Sequence, residues 1–156
     1  MNSMLSGCTS LVEANLKDWD VSNVTTMTYM FNSVGDIEAD LSTWDVSNVE
    51  DFEYMFYQSE IKDVDMSNWT HSPNARMKNM FSNAKVENVV FGDISNVYNM
   101  DSVFVGCRNL KSVTMSSPLH KNLSNYSMFA YVETDGTFYY NPEYDYSKVI
   151  EQLPST

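Results

Sequence analysis

Apolar and polar positions along this chain recur with a long period. Met30-Phe31, Met55-Phe56, Met80-Phe81, Val103-Phe104 and Met128-Phe129 mark one point in successive segments, and Met4-Leu5 is a worn first copy; the spacings are 26, 25, 25, 23 and 25 residues. A second phrase keeps step with the first. Leu16–Val24 reads Leu-Lys-Asp-Trp-Asp-Val-Ser-Asn-Val, Leu41–Val49 reads Leu-Ser-Thr-Trp-Asp-Val-Ser-Asn-Val, and Met66–Trp69 and Asp93–Val97 carry parts of it. A fixed period of this size predicts a solenoid, in which each repeat is one coil that cannot bury its apolar face alone.

Within one period the pattern changes character. Ile37–Thr43 alternates, with Ile37, Ala39 and Leu41 on one face, which predicts a short half-buried strand. Ser47-Asn48-Val49-Glu50 fits a capping box, and Val49, Phe52, Met55 and Phe56 follow at helical spacing, which predicts a helix of about two turns. Strand, turn, short helix and loop make a leucine-rich-repeat coil. The expected fold is therefore an α/β, right-handed leucine-rich-repeat solenoid of about five to six coils. Stacking gives inward strand columns of Ala14, Ala39, Val64, Val89, Val113, Thr137 and of Leu16, Leu41, Met66, Phe91, Met115, Tyr139. The helix column Leu5, Phe31, Phe56, Phe81, Phe104, Phe129 is apolar throughout.

Later coils depart from the pattern. The fourth drops two residues, so that Gly92 stands where others carry Ser-Thr-Trp, and the fifth has Pro118 in place of the Trp. The solenoid is expected to span residues 1–135. Residues 136–156 read as a C-terminal cap: a Tyr-rich strand over Gly136–Asn141, an Asn-Pro turn and a short helix over Ser147–Leu153. Met1–Leu5 starts part-way through a coil, so the first face is expected to be covered by flanking chain or by another subunit.

Charge narrows the classes of partner. The net charge is −12, and residues 1–65 hold 13 acidic against 2 basic side chains, whereas residues 66–127 hold 3 against 6. Nucleic acid needs a basic face, which argues against it here, and anionic membrane surfaces are disfavoured on the same ground. No apolar run reaches a membrane-spanning length. Leu5-Ser6-Gly7-Cys8 has the look of a lipidation box, but Val103–Cys107 holds the same place in a later repeat, so the repeat explains it. Cys8 and Cys107 share a column of small side chains and stand four coils apart, about 19 Å at ~4.8 Å per coil. Free buried thiols are therefore expected rather than a disulfide.

The phrases Trp-Asp-Val-Ser-Asn-Val, Met-Phe and Gly-Cys-x-x-Leu (Gly7–Leu11, Gly106–Leu110) closely resemble the BspA-like bacterial surface leucine-rich repeats. The likeness runs over about residues 4–132. It implies a surface binding or adhesion module with no activity attached to the repeat, found in bacterial surface proteins and some phage proteins.

Asn23, Asn48 and Asn96 recur at one position and read as amides that bond backbone between coils, with a ligand ladder as the alternative. Trp19, Trp44 and Trp69 form a three-rung column, either a packed corner or exposed rings for sugars or peptide. On the outward sheet face, Asn15, Asp40 and Asp65 stand beside Lys17, Ser42 and Ser67. Asp40 and Asp65 there predict a like-charge pair ~4.8 Å apart, unfavourable unless screened, bridged by a cation or met by a basic ligand. His71 and His120 have no nucleophile at a recognisable spacing, and no Gly-rich phosphate loop or Cys/His metal cluster occurs. The sequence thus predicts a non-enzymatic module without cofactor or metal, binding a protein or glycan on another surface. Its expected place is the cell surface or the extracellular space, as part of a larger protein. The alternative is a structural spacer or virion-surface decoration.

Overall fold

The chain folds as a parallel β-solenoid, seen in a computed structural model that describes residues 1–133 and 136–154. Its regular strands are β1 (Asp63–Thr70), β2 (Ala75–Arg76), β3 (Asn88–Asp93), β4 (Val97–Asn99), β5 (Ser112–Met115) and β6 (Thr137–Tyr140), followed by one short helix, α1 (Ser147–Ile150). Strands β1, β3, β5 and β6 form one all-parallel sheet in that order, about three turns of solenoid. Strands β2 and β4 form a second parallel ladder. Single bridges extend it from Thr26 through Asp51 and Arg76, and from Asn99 to Ser124.

Burial follows the expected alternation. Val64, Met66, Val89, Phe91, Val113 and Met115 point inward and are buried, as are Leu16 and Leu41 in earlier coils. The Phe column is a continuous stack: Phe31, Phe56, Phe81, Phe104 and Phe129 lie face to face at centroid distances of 5.1, 5.1, 5.5 and 5.4 Å. Interplanar angles of 4–11° make each ring a spacer that fixes the rise between coils. Met30, Met55, Met80, Val103 and Met128 line up beside it, all fully buried.

The helices expected inside each coil are replaced by stacked turns. Met30, Met55 and Met80 each donate three residues back, to Met27, Phe52 and Met77, in bonds of 3.0–3.2 Å. Alternate amides instead reach the neighbouring coil, as in Phe31→Met55 and Phe56→Met80, both 2.8 Å. A helix is excluded here because two columns of residues, four apart in sequence, hold positive φ. One is Ser3, Tyr29, Tyr54, Asn79, Ser102 and Ser127; the other is Gly7, Ser33, Gln58, Asn83, Gly106 and Tyr131. Left-handed residues at that spacing end any α-helix before it closes one turn. The capping box is corrected with it: Ser47 donates through both N and Oγ to Asp45 Oδ1, at 3.1 and 2.7 Å, and caps no helix.

Two further expectations change, and the shortened fourth coil finds its explanation. Ile37–Thr43 forms no regular strand, and the sheet begins only at Asp63. In the fourth coil the missing two residues are absorbed as a bulge: Met66 pairs with Phe91 but Thr70 with Asp93. Gly92 sits opposite that bulge, where a Cβ would come within 2.3 Å of the Trp69 carbonyl oxygen, so only glycine fits. The cap strand is found one residue out of the expected register. Val113 pairs with Phe138 and Met115 with Tyr140, so Thr137 and Tyr139 leave the inward columns. The apolar Phe138 takes the inward place, half-buried, and Tyr139 turns out to solvent.

The cap helix occupies Ser147–Ile150 of the expected Ser147–Leu153. Tyr146 anchors it, buried, with its hydroxyl donating to Met115 and Ser117 carbonyls at 3.1 and 2.5 Å. The buried core runs without interruption from Leu16 to Val149. Ser155 and Thr156, the end of the expected cap, lie outside the described residues, as do Thr134 and Asp135 at the expected boundary.

Candidate functional site: an acidic trough on the sheet face

The most strongly charged concavity lies on the outward face of the early coils. It has a volume of about 800 Å³ and is lined by Glu13, Asp36, Glu38, Asp40, Asp63 and Asp65, together with Lys62, Val12, Ile37 and Ala39. Six carboxylates thus face one ammonium. The alternating pattern creates it: Ile37, Leu41, Val64 and Met66 turn inward and leave the intervening acids outward.

Two of the sequence-derived candidates, Asp40 and Asp65, do line this trough. They are not bare like charges. Asp40 Oδ1 accepts from Ser42 N and Oγ at 3.1 and 2.6 Å, and Asp40 Oδ2 stands 3.5 Å from Lys17 Nζ. Asp65 Oδ1 accepts from Ser67 N at 2.8 Å. Lys17, Ser42 and Ser67 are therefore brought to the carboxylates as local donors. Bonding to Ser42 holds the Asp40 carboxyl below its usual range, and Lys17 adds to this. Asp40 and Asp65 thus each accept from the serine two residues on, and Lys17 adds a cation beside Asp40.

The same turn recurs wherever Asp stands two before Ser: Asp20-Ser22, Asp45-Ser47, Asp93-Ser95 and Asp145-Ser147. Asp-x-Ser was the legible signal for these corners, since a carboxylate readily accepts from the amide two residues on.

The Trp column is a packed corner. Trp44 and Trp69 are 3% and 1% exposed, and rings 19, 44 and 69 stack at 6.4 Å intervals. Each buried indole Nε1 donates to the preceding coil: Trp44 to Leu16 O at 2.8 Å and Trp69 to Leu41 O at 3.1 Å. Exposed stacked rings are thus not available at Trp44 or Trp69; Trp19 alone of the three is half exposed. The Asn column works similarly. Asn48 and Asn96 donate to Ser22 and His71 carbonyls of the coil before, at 2.8 and 3.0 Å, while Asn23 bonds only its neighbour Ser22 Oγ at 3.4 Å.

Sequence reasoning missed Glu13, Asp36, Glu38 and Asp63 as trough residues, although the excess of acid over residues 1–65 pointed to them. Lys62 is paired with Asp36 there. Lys85 with Glu60 and Lys111 with Glu87 repeat this ion pair one coil later each time. Among the described residues no three His, Cys, Asp or Glu side chains converge closely enough to hold a metal ion. Both cysteines are free; Cys107 is buried and Cys8, contrary to expectation, only half-buried. Burial pushes the Cys107 thiol up to about 12. No helix among the described residues is long and apolar enough to cross a membrane.

No curated protein and no solved structure matches the chain. Residues 1–91, which carry the trough and the most regular repeats, match the family model described as Mycoplasma protein of unknown function, DUF285. More than half of the chain lies within that match, and the chain belongs to the DUF285 family.

Proposed function

We propose that this chain is a non-enzymatic binding module displayed at a cell surface, and that its acidic trough receives a basic segment of a protein on another surface. The observation that supports the reading is a trough lined by six carboxylates against one lysine, with Lys17 beside Asp40 as the second cation at these acids. A cleft lined by one sign of charge concentrates opposite charge and speeds its encounter. A glycan ligand would need basic substituents to exploit the same feature. We further propose that the repeats are of the BspA-like leucine-rich type, wound right-handed in five to six coils, with the first coil covered by flanking chain or another subunit. The shared phrases Trp-Asp-Val-Ser-Asn-Val and Met-Phe support that assignment. A structural spacer is the second reading. It is favoured by the backbone bonds that link one coil to the next along the chain, from Ser3→Thr28 to Gly106→Ala130.

The test is calorimetric titration with an oligolysine peptide, with oligoglutamate as control, at low and at high salt. Oligolysine should bind at low salt and weaken steeply as the screening length shrinks below ~10 Å. A variant carrying Glu13→Gln and Glu38→Gln should lose that binding while keeping its melting temperature. Equal binding by the variant would overturn the trough as the site, and no binding of the basic peptide at any salt would favour the spacer.

A further inference from the structure

A second concavity, unlike the first in chemistry, lies between the last ring of the Phe column and the closing segment. It measures about 410 Å³, and Leu110, Val113, Phe129, Val132, Phe138 and Leu153 form its apolar wall. That volume lies within the usual ~300–1,000 Å³ of small-ligand pockets. An apolar cavity of only about 150 Å³ already takes benzene.

Its origin is in the repeat. Each ring of the column from Phe56 to Phe104 has an aromatic neighbour on both sides, but Phe129 is stacked on Phe104 alone. Where a further ring would stand, 24 residues on, the sequence has the smaller Leu153 followed by Pro154, both of which line the cavity. The strand edge is spaced as elsewhere, because Val113 pairs with Phe138 in a regular ladder. The rise between layers is kept while no ring fills the next place, and space is left there.

Chemistry limits what can enter. Lys111 is the one charged side chain among the described lining residues, and its ammonium is already paired with Glu87. The remaining polar lining is Ser112, Thr137 and backbone, and the Ser112 hydroxyl is engaged with Asn88 Oδ1 at 2.7 Å. A charged ligand would therefore lose hydration without a free partner of opposite charge. We propose that this cavity is a binding site for a small, uncharged, ring-bearing molecule, which lies against Phe129 and extends the aromatic column by one layer. The site is separate from the acidic trough and does not rest on the function proposed for it.

Indole and toluene are the probes. Titrated into the whole chain, either should shift the methyl resonances of Leu110, Val113, Val132 and Leu153 saturably. At a hundredfold excess over Kd the melting temperature should rise by about 5 °C or more. Leu153→Trp, which supplies a ring from the chain itself, should abolish the shifts without lowering the melting temperature. Should that variant fail to fold, Val132→Phe fills the same space from the opposite wall and should have the same effect. Shifts that do not saturate, shifts mapping to the exposed Tyr126 and Tyr131, or undiminished binding by the filled variants would each overturn the proposal. Equal shifts from hexanoate would refute the exclusion of charged ligands.

Discussion

Replacing Gln58 by glycine tests the stacked turn against the helix, because the two structures require opposite signs. Gln58 is exposed, holds φ of 55°, and occupies the column that has glycine at Gly7 and Gly106. Its amide donates to Ser82 O at 3.0 Å, a bond that glycine keeps. A residue with a Cβ loses roughly 1–2 kcal/mol in the left-handed region. Glycine removes that strain but costs about 0.5–1 kcal/mol through the freer unfolded chain. The net expectation is a gain of about 0.5–1 kcal/mol, or ~1–4 °C in melting temperature for a chain of this size. In a helix the same change would cost up to ~1 kcal/mol. Urea unfolding followed by the fluorescence of buried Trp44 and Trp69 reads the sign directly. The reverse change, Gly106→Ala, should destabilise, since φ there is 71° and a Cβ would meet Asn83 Oδ1 at 2.4 Å. A loss of stability in Gln58→Gly would refute the turn.

The remaining expectations can be checked on the same material. Trp69→Phe leaves the Leu41 carbonyl without its indole donor and should cost about 2–3 kcal/mol; Trp19→Phe, half exposed, should cost less than ~1 kcal/mol by the same urea assay. His71 is buried with Nδ1 on Asp93 O at 2.7 Å and Nε2 without a partner, and burial lowers its pKa below the ordinary 6.5. Only the unfolded chain takes up its proton as pH falls below 6.5, so this stability is full above that pH and declines below it, by up to ~1.4 kcal/mol per unit. His71→Val, matching Val46 and Ile94 in its column, should remove that part of the acid sensitivity; an unchanged pH dependence would show that His71 is charged when folded. Cys107, its thiol pushed up to about 12, should resist a thiol reagent at mildly alkaline pH while Cys8 reacts, and both should react in denaturant; a missing thiol in denaturant would contradict two free cysteines.

The columns were legible because solenoid stacking repeats one environment: Phe56 and Phe81 each lie between two stacked Phe rings, so the same residue type returns. The turn was not legible from apolar spacing. Val49, Phe52, Met55 and Phe56 meet on one side whether the chain closes bonds three residues back in a turn or four back in a helix. The discriminating signal lay in polar positions, since Gly7, Asn79, Asn83 and Gly106 are the residue types that tolerate positive φ. The cap register escaped for a different reason. Thr137–Tyr140 offers apolar surface at three adjacent positions, so alternation cannot fix it, and the half-buried Phe138 settles the choice. Of the trough, the charge was visible and the shape was not, because it depends on which coils lack a sheet.

The late start of the regular sheet links the fold to the site. A continuous ladder through residues 37–67 would bring outward carboxylates of neighbouring strands to about 4.8 Å, an unfavourable spacing for like charges. In the early coils no regular strand forms on that side, and side chains hold it instead. The Trp44 and Trp69 indoles reach back to Leu16 and Leu41, and Thr43 Oγ1 bonds Lys17 O at 2.6 Å. Asp40 turns onto Ser42, as Asp65 within β1 turns onto Ser67. Where the regular sheet takes over, from β1 to β3 and β5, the outward positions change from Asp65 to Val90 and Thr114, which carry no charge. The Trp44 and Trp69 indoles thus tie coil to coil ahead of the regular sheet, in the same early coils that carry the acids of the trough.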